Sequence, residues 1–269
     1  MKPPLSKSDA QRALVLADIL EVPFSEVLPA GEALPRDVEL LRDGLVALRQ
    51  PTAKIDCHDG GAPLRFLLTQ AAVQPGRHVE FTGTSRLGER PHAPLLTALR
   101  TIPGLRLTEG NPWPLIVESP VAFRGPVAFE VTGLESSQFA SSLLLGAARL
   151  AAAGVEASVR VTGSMTSEGY FALTRRWLER TGFVIDERAS ALFPTPAPSG
   201  EKMVIPGDWS SLGYLLALSW VSGIAVERIA FDTGHPEAAN GHSTRSSIWR
   251  SLPEVWDKLR RPLTRLATE

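Results

Sequence analysis

The chain has 269 residues, 43% hydrophobic and 21% charged, which is room for one large domain or two modest ones with a full core. A net charge of −1 gives no global attraction to nucleic acid or to an anionic membrane, so any anion site must be local. A single cysteine, Cys57, excludes an intramolecular disulfide, and the five histidines are scattered without metal-ligand spacing. The N-terminus lacks a charged segment followed by an apolar one, and no apolar run is long enough to span a bilayer, so the cytoplasm is the expected compartment.

In chain order, helical periodicity opens near Ser8 (SDAQRALVLADIL) and again near Asp37 (DVELLRDGLVAL). A second pair opens near Gly61 (GAPLRFLLTQAA) and Pro91 (PHAPLLTALRTI), and a third near Ser136 (SSQFASSLLLGAARLAAA) and Ser167 (SEGYFALTRRWLERTG). β-like runs lie between them at 53–57, 78–82, 105–108, 115–118, 126–131, 157–162 and 183–186, with Gly, Pro and Asn in the gaps. This pattern predicts an α/β (α+β) chain of three repeated α/β units. A fourth unit opens at Asp208 (DWSSLGYLLALSWVSG) and continues into a strand-like 225–231, but no second helix follows near Pro236. The expected organisation is one domain over 1–205, an incomplete start of a second over 206–235, and an atypical tail over 236–269, either docked on the fold or disordered. Trp249 and Trp256 stand in that tail.

Small polar residues or glycines open the helices, and cations stand near two of the openings. Lys7, Ser8 and Arg12 belong to the first, with Ser8 and Arg12 four apart and so on one face. Asp59-Gly60-Gly61-Ala62 and Arg65 belong to the second, and Ser136-Ser137-Gln138 opens the third. The loop TSRLGERPH carries Arg86 and Arg90, and Tyr170 follows Ser167 by three. Free N–H groups at a helix start bind phosphate or carboxylate, Gly lets backbone approach a ligand, and Arg grips two oxygens at once. Singly, each of these is an ordinary cap, turn or solvated loop. Their recurrence at helix starts points to a shared anion-binding face. The Gly spacing fits neither a P-loop nor a dinucleotide fingerprint.

Six segments in one order resemble the enolpyruvyl transferase family, in the branch that acts on shikimate 3-phosphate. SKSDAQRAL is similar to that family's SKSxSxRAL, DGGAPLRFL to NAGTAMRPL, and TGTSRLGERPHAPLLTAL to GDxxLxxRPMxxLxxAL. LESSQFASSLLLGA is similar to VSSQFxSALLMAA, SEGYFALTRRWLERTGF to SKPYIxxTLxLMxxFGV, and GDWSSLGYLLALSWVSG to GDASSASYFLAAAAIAG. The resemblance implies an inverse α/β barrel-like fold. It also implies transfer of the enolpyruvyl group of phosphoenolpyruvate to the 5-hydroxyl of shikimate 3-phosphate, with release of phosphate. It implies no organic cofactor, no metal, no nucleic-acid or membrane partner, and a monomer. By position, Lys7, Ser8, Arg12, Ser136, Ser137, Gln138, Ser167 and Tyr170 would hold shikimate 3-phosphate. Lys7, Gly61, Arg90 and Gln138 would hold phosphoenolpyruvate, with Asp59, Arg65 and Arg86 close by.

The chain departs from the family pattern at several points. Asp59 stands where the family commonly has Asn, so either Asp59 is protonated or phosphoenolpyruvate binds more weakly. Glu168-Gly169 replaces a Lys-Pro pair and Ala62 replaces a Thr. The resemblance places the family's catalytic Asp and its Lys-Glu segment beyond the matched stretch, and leads one to expect no strand ahead of SKS.

Overall fold

The computed structural model describes residues 4–224 apart from Glu32, Pro198 and Ser199. The tail over 236–269, with Trp249 and Trp256, and the strand-like 225–231 lie outside the described residues. The described residues fall into two compact units, one over Lys7–Val204 and one that joins residues 4–6 to 205–224.

The larger unit opens with helices α1 (Lys7–Ile19), α2 (Phe24–Val27) and α3 (Arg36–Ala47). It continues with β1 (Thr52–Asp56), α4 (Gly61–Ala72), β2 (His78–Thr82), α5 (Ser85–Gly88), α6 (Ala93–Leu99), β3 (Arg106–Glu109) and β4 (Leu115–Glu118). Then come β5 (Val127–Thr132), α7 (Ser137–Ala152), β6 (Ala157–Thr162), α8 (Glu168–Arg180), β7 (Phe183–Arg188) and β8 (Ala191–Pro196). Two four-stranded sheets result, ordered β1-β2-β4-β3 and β5-β6-β8-β7. In each, the first two strands run parallel around a helix, and the last two form an antiparallel hairpin whose second strand pairs with the middle of the sheet. The repeat read from helix spacing is thus a βαβαββ unit, complete twice among the described residues. The first helix pair, α1 and α3, has no strand between its members there.

The strands explain the layering. β5 buries Val127, Phe129 and Val131 and turns Ala128 and Glu130 outward, the period of two expected when one face is covered and the other wet. The helices do the covering. α4 is apolar nearly all round and buries every residue but Ala62, as a helix enclosed by neighbours should. α7 buries most of its length beside it. A Cβ added at Gly146 on α7 would lie 2.4 Å from the Thr69 methyl on α4, so this glycine is what lets the two helices touch. α8 is two-faced, burying Phe171, Leu173, Thr174, Trp177 and Leu178 at helical spacing. Trp177 Nε1–H donates to buried Asp9 Oδ1 on α1 at 2.7 Å, tying α8 to α1 through the core.

One strand is not expected from the sequence. β8 does not stand out in the sequence because ALFPTP holds two prolines, which argue against a strand. β6 pairs with β8 only at Ala191 and Leu192, so Pro194 and Pro196 fall where β7 is the sole neighbour, an edge-like position that tolerates proline. Ahead of Lys7 the described residues form an isolated bridge and no strand. In the smaller unit Leu5 bridges Gly207, Ser6 N–H donates to the Pro206 carbonyl at 2.8 Å, and Asp208 N–H donates to Pro4 at 2.9 Å. α9 (Trp209–Ser222) follows, capped by Asp208 Oδ2 on Ser211 N–H at 3.0 Å.

Candidate functional site

Helices α1, α3, α4, α7 and α8 of the larger unit begin at one place, and contacts within their first two turns show it. Arg12 on α1 donates through Nε to Thr174 Oγ1 at 2.8 Å and through Nη2 to the Tyr170 carbonyl at 2.8 Å, both on α8. The same Nη2 reaches Ser141 Oγ on α7 at 3.5 Å, and Nη1 donates to the Ser8 carbonyl at 2.8 Å. Arg12 is 3% exposed, and these four bonds leave one of its five N–H groups, on Nη1, for anything else. Burial pulls its guanidinium down to about 10, against the attraction of Asp9, so it stays charged at neutral pH.

The second centre joins α4 to α7. Arg65 Nη1 donates to Gln138 Oε1, and Nη2 donates to the Pro91 carbonyl at 3.2 Å. Because a guanidinium can only donate, it fixes the Gln138 amide with its NH2 turned away from Arg65 as a spare donor. Arg65 also lies over the Phe139 ring, 4.9 Å from its centroid. A Cβ added at Gly61, the first residue of α4, would meet Arg90 Nη1 at 2.5 Å and Arg65 Nη1 at 3.7 Å. The two guanidiniums therefore crowd the start of α4, and neither has a carboxylate partner among the described residues. Burial pulls Arg65 down to about 10, and the charge of Arg90 adds to the effect. Arg65 Nε–H is buried with no partner. Gln138 and Ser141 are three apart on α7, so the two centres adjoin on one helix end.

The remaining expected residues lie around these centres. Lys7 is half exposed and ion-paired to Asp37 on α3, Nζ to Oδ2 3.1 Å. Ser136 is the α7 cap, its Oγ accepting from Gln138 N–H at 3.2 Å, and Ser137 is buried behind it. Ser167 caps α8 in the left-handed region (φ 57°) without a side-chain cap bond, and it is exposed. Tyr170 and Ser8 are half-buried. Neither Asp59 nor Arg86 is bonded to Arg65 or Arg90 among the described residues. Asp59 Oδ1 accepts from Thr84 Oγ1 at 2.5 Å, and that bond, helped by His58 and Arg86, holds its carboxyl below the usual range. Asp59 is therefore ionised, and of its two open readings the protonated one falls away.

Two residues of this region escaped sequence reading. Asp37 looks like any acid in the first turn of a helix, and only the fold brings it to Lys7. His92 Nε2 donates to the Leu87 carbonyl at 2.9 Å, which leaves Nδ1 as a buried acceptor with no partner. Burial lowers the His92 pKa, and the charges of Arg65 and Arg90 add to this, so the ring is neutral. Among the described residues no cluster of His, Cys, Asp or Glu could hold a metal, and no helix is long and apolar enough to cross a membrane.

The larger unit is a mixed α/β domain that brings several helix N-termini and two guanidiniums with no carboxylate partner among the described residues to one end, donors of the kind that suit an anion. Comparison with known proteins adds the family. The family model for EPSP synthase (3-phosphoshikimate 1-carboxyvinyltransferase) matches residues 36–239, and the chain belongs to that family. A 3-phosphoshikimate 1-carboxyvinyltransferase of Halobacterium salinarum is 34% identical over 280 residues, covering 94% of this chain and 63% of the relative. One from Methanopyrus kandleri is 33% identical over 263 residues, covering 87% and 59%. An EPSP synthase structure from Acinetobacter baumannii shares the fold with a TM-score of 0.59 at 16% identity, over 82% of this chain and 52% of that one. The chain thus spans about 60% of the length of these curated relatives.

Proposed function

We propose that the chain serves enolpyruvyl transfer from phosphoenolpyruvate to the 5-hydroxyl of shikimate 3-phosphate, as the part that holds both substrates. The observation that carries this is the pair Arg65 and Arg90 at Gly61, two like charges gathered at a helix start with no carboxylate between them. Such an arrangement is costly unless an anion completes it. Phosphoenolpyruvate, with a carboxylate and a phosphate, supplies that anion, and the Gln138 amide adds a neutral donor.

Shikimate 3-phosphate fits the neighbouring centre. Lys7 brings a half-exposed charge, Ser8, Ser137 and Ser167 bring hydroxyls, and the α7 and α8 N-termini bring backbone N–H groups. Arg12 acts chiefly by fixing α1 against α7 and α8, with one N–H left for the ligand. Holding the hydroxyl of one substrate beside C2 of the other, the carbon that carries the phosphate, is a proximity effect. The surrounding cations stabilise the negative charge of the tetrahedral adduct. The described residues thereby gain binding and orientation, and the proton transfers of the reaction are assigned to none of them. In this reading residues 7–204 are the shikimate-phosphate half of the family's architecture, and the chain acts as a monomer in the cytoplasm.

The test is equilibrium binding of phosphoenolpyruvate to the wild type and to Arg90→Gln, with shikimate 3-phosphate as control. Arg90→Gln should weaken phosphoenolpyruvate at least tenfold, the loss expected for one charge-assisted contact, and leave shikimate 3-phosphate unchanged. Equal affinity of both proteins for phosphoenolpyruvate would refute the assignment.

A further inference from the structure

A second arginine cluster lies at the opposite end of the same helices. A cleft of about 520 Å3 is lined there by Arg49, Arg77, Arg149, Asp18, Glu21 and Gln74. Asp18 is ten residues beyond Ser8 on α1, and Arg149 is twelve beyond Ser137 on α7. At 1.5 Å of rise per residue the cleft is ~15–18 Å from the candidate site.

Three guanidiniums share one bonded carboxylate. Asp18 accepts from Arg149 Nη2 on Oδ2 at 2.6 Å and from Arg49 Nη2 on Oδ1 at 3.4 Å. Among the described residues Arg77 has no carboxylate partner. It donates to Gln74 Oε1 at 3.1 Å and to the Arg49 carbonyl at 3.4 Å, and its Nε–H is buried with no partner. Behind them Gln70, fully buried, accepts from Arg149 Nε–H on Oε1, while its own amide nitrogen has no partner. Arginines at helix C-termini commonly satisfy terminal carbonyls, and the Arg77–Arg49 bond is of that kind. That role leaves unused Arg77 Nε, Arg149 Nη1 and two of the three Arg49 nitrogens. Arg149 also has its pKa lowered, by burial first and by the charge of Arg77 as well, against the attraction of Asp18.

We infer that this cleft is a second anion site, which takes the single carboxylate or phosphate group of a metabolite-sized molecule. The volume exceeds what a bare oxyanion needs, and Val22 and Pro23 give the rest of the molecule an apolar wall. Glu21 at the exposed margin has no bonded partner, so it disfavours a ligand with a second acidic group. The inference is independent of the function proposed above, because no residue is shared.

The test is a titration of inorganic phosphate, and separately of acetate, into the 15N-labelled chain, read at backbone amides. Phosphate reaches both sites, so they are read apart: Gly61 and Gln138 report the candidate site, Val22 and Gly76 the cleft. Saturable shifts at Val22 and Gly76 are expected with a dissociation constant on the order of 1–10 mM. The oxyanion that saturates them at lower concentration identifies the group recognised. Arg77→Gln should raise that constant about tenfold and leave the Gly61 and Gln138 shifts unchanged. Arg49→Gln, on an exposed side chain, should shift binding in the same direction and decides the matter if Arg77→Gln fails to fold. Absence of saturable shifts at Val22 and Gly76 with both anions would overturn the inference, as would the same titration curve in the variants and the wild type.

Discussion

Replacing Gly61 by alanine separates binding from folding at the candidate site. The new Cβ would stand 2.5 Å from Arg90 Nη1, and ordinary contact begins at 3.4 Å, so the guanidinium must retreat by about 0.9 Å. A donor set about 2.9 Å from a ligand oxygen would end near 3.8 Å, beyond hydrogen-bond range. Losing one charge-assisted bond costs about 1.5–3 kcal/mol, which is roughly 10- to 150-fold in affinity for phosphoenolpyruvate. The fold should not suffer. The three nearest atoms outside the helix backbone belong to the ends of two arginine side chains, and alanine is up to about 1 kcal/mol better than glycine within a helix. Calorimetric titration with phosphoenolpyruvate together with a thermal melt reads both sides. The expected result is weaker binding with an unchanged or higher melting temperature. Wild-type affinity in Gly61→Ala would refute the reasoning, as would weaker binding accompanied by a lower melting temperature.

Other expectations follow from the same contacts. Asp37→Asn releases Lys7 from its ion pair, so shikimate 3-phosphate should bind a few-fold more tightly, within the range of a surface pair of up to about 1 kcal/mol; weaker binding, measured by calorimetry, would contradict a competing role for Asp37. Cys57 is fully buried and burial pushes its thiol up to about 12, so the folded chain should resist a thiol-specific reagent until denatured, and rapid labelling of the native chain would count against the core described. His92 has its folded pKa below the unfolded value of about 6.5, so the unfolded state takes up the proton first. Stability should therefore fall as pH drops below about 6.5, and His92→Gln should flatten that slope in melts taken between pH 7.5 and pH 5.5. A slope identical in the variant would place the pH dependence elsewhere.

Much of this was legible because helix starts carry strong local signals. Ser8, Gly61, Ser136 and Asp208 mark helix openings to within a residue or two of α1, α4, α7 and α9, and the alternating runs fell on seven of the eight strands. β8 was hidden because its prolines are tolerated only through its pairing with β7, a fact of register and not of composition. The site divides along the same line. That Ser8, Gly61 and Gln138 belong together could be read from their recurrence at helix starts. That Arg12 spends most of its donors on α7 and α8, and that Asp37 holds Lys7, depends on side chains up to 162 residues apart, and the buried lone pair of His92 depends on how its loop folds back onto Leu87 and not on composition. The state of Asp59 was open in the sequence, since its partner Thr84 lies 25 residues away.

One titration tests most directly whether the helix starts of the larger unit form the substrate site. Shikimate 3-phosphate is added to the wild-type chain and to Lys7→Gln in a calorimeter, with and without phosphoenolpyruvate. A single saturable site in the wild type, weakened in Lys7→Gln, is the predicted result. No saturable heat with millimolar shikimate 3-phosphate, or the same binding curve for both proteins, would contradict it.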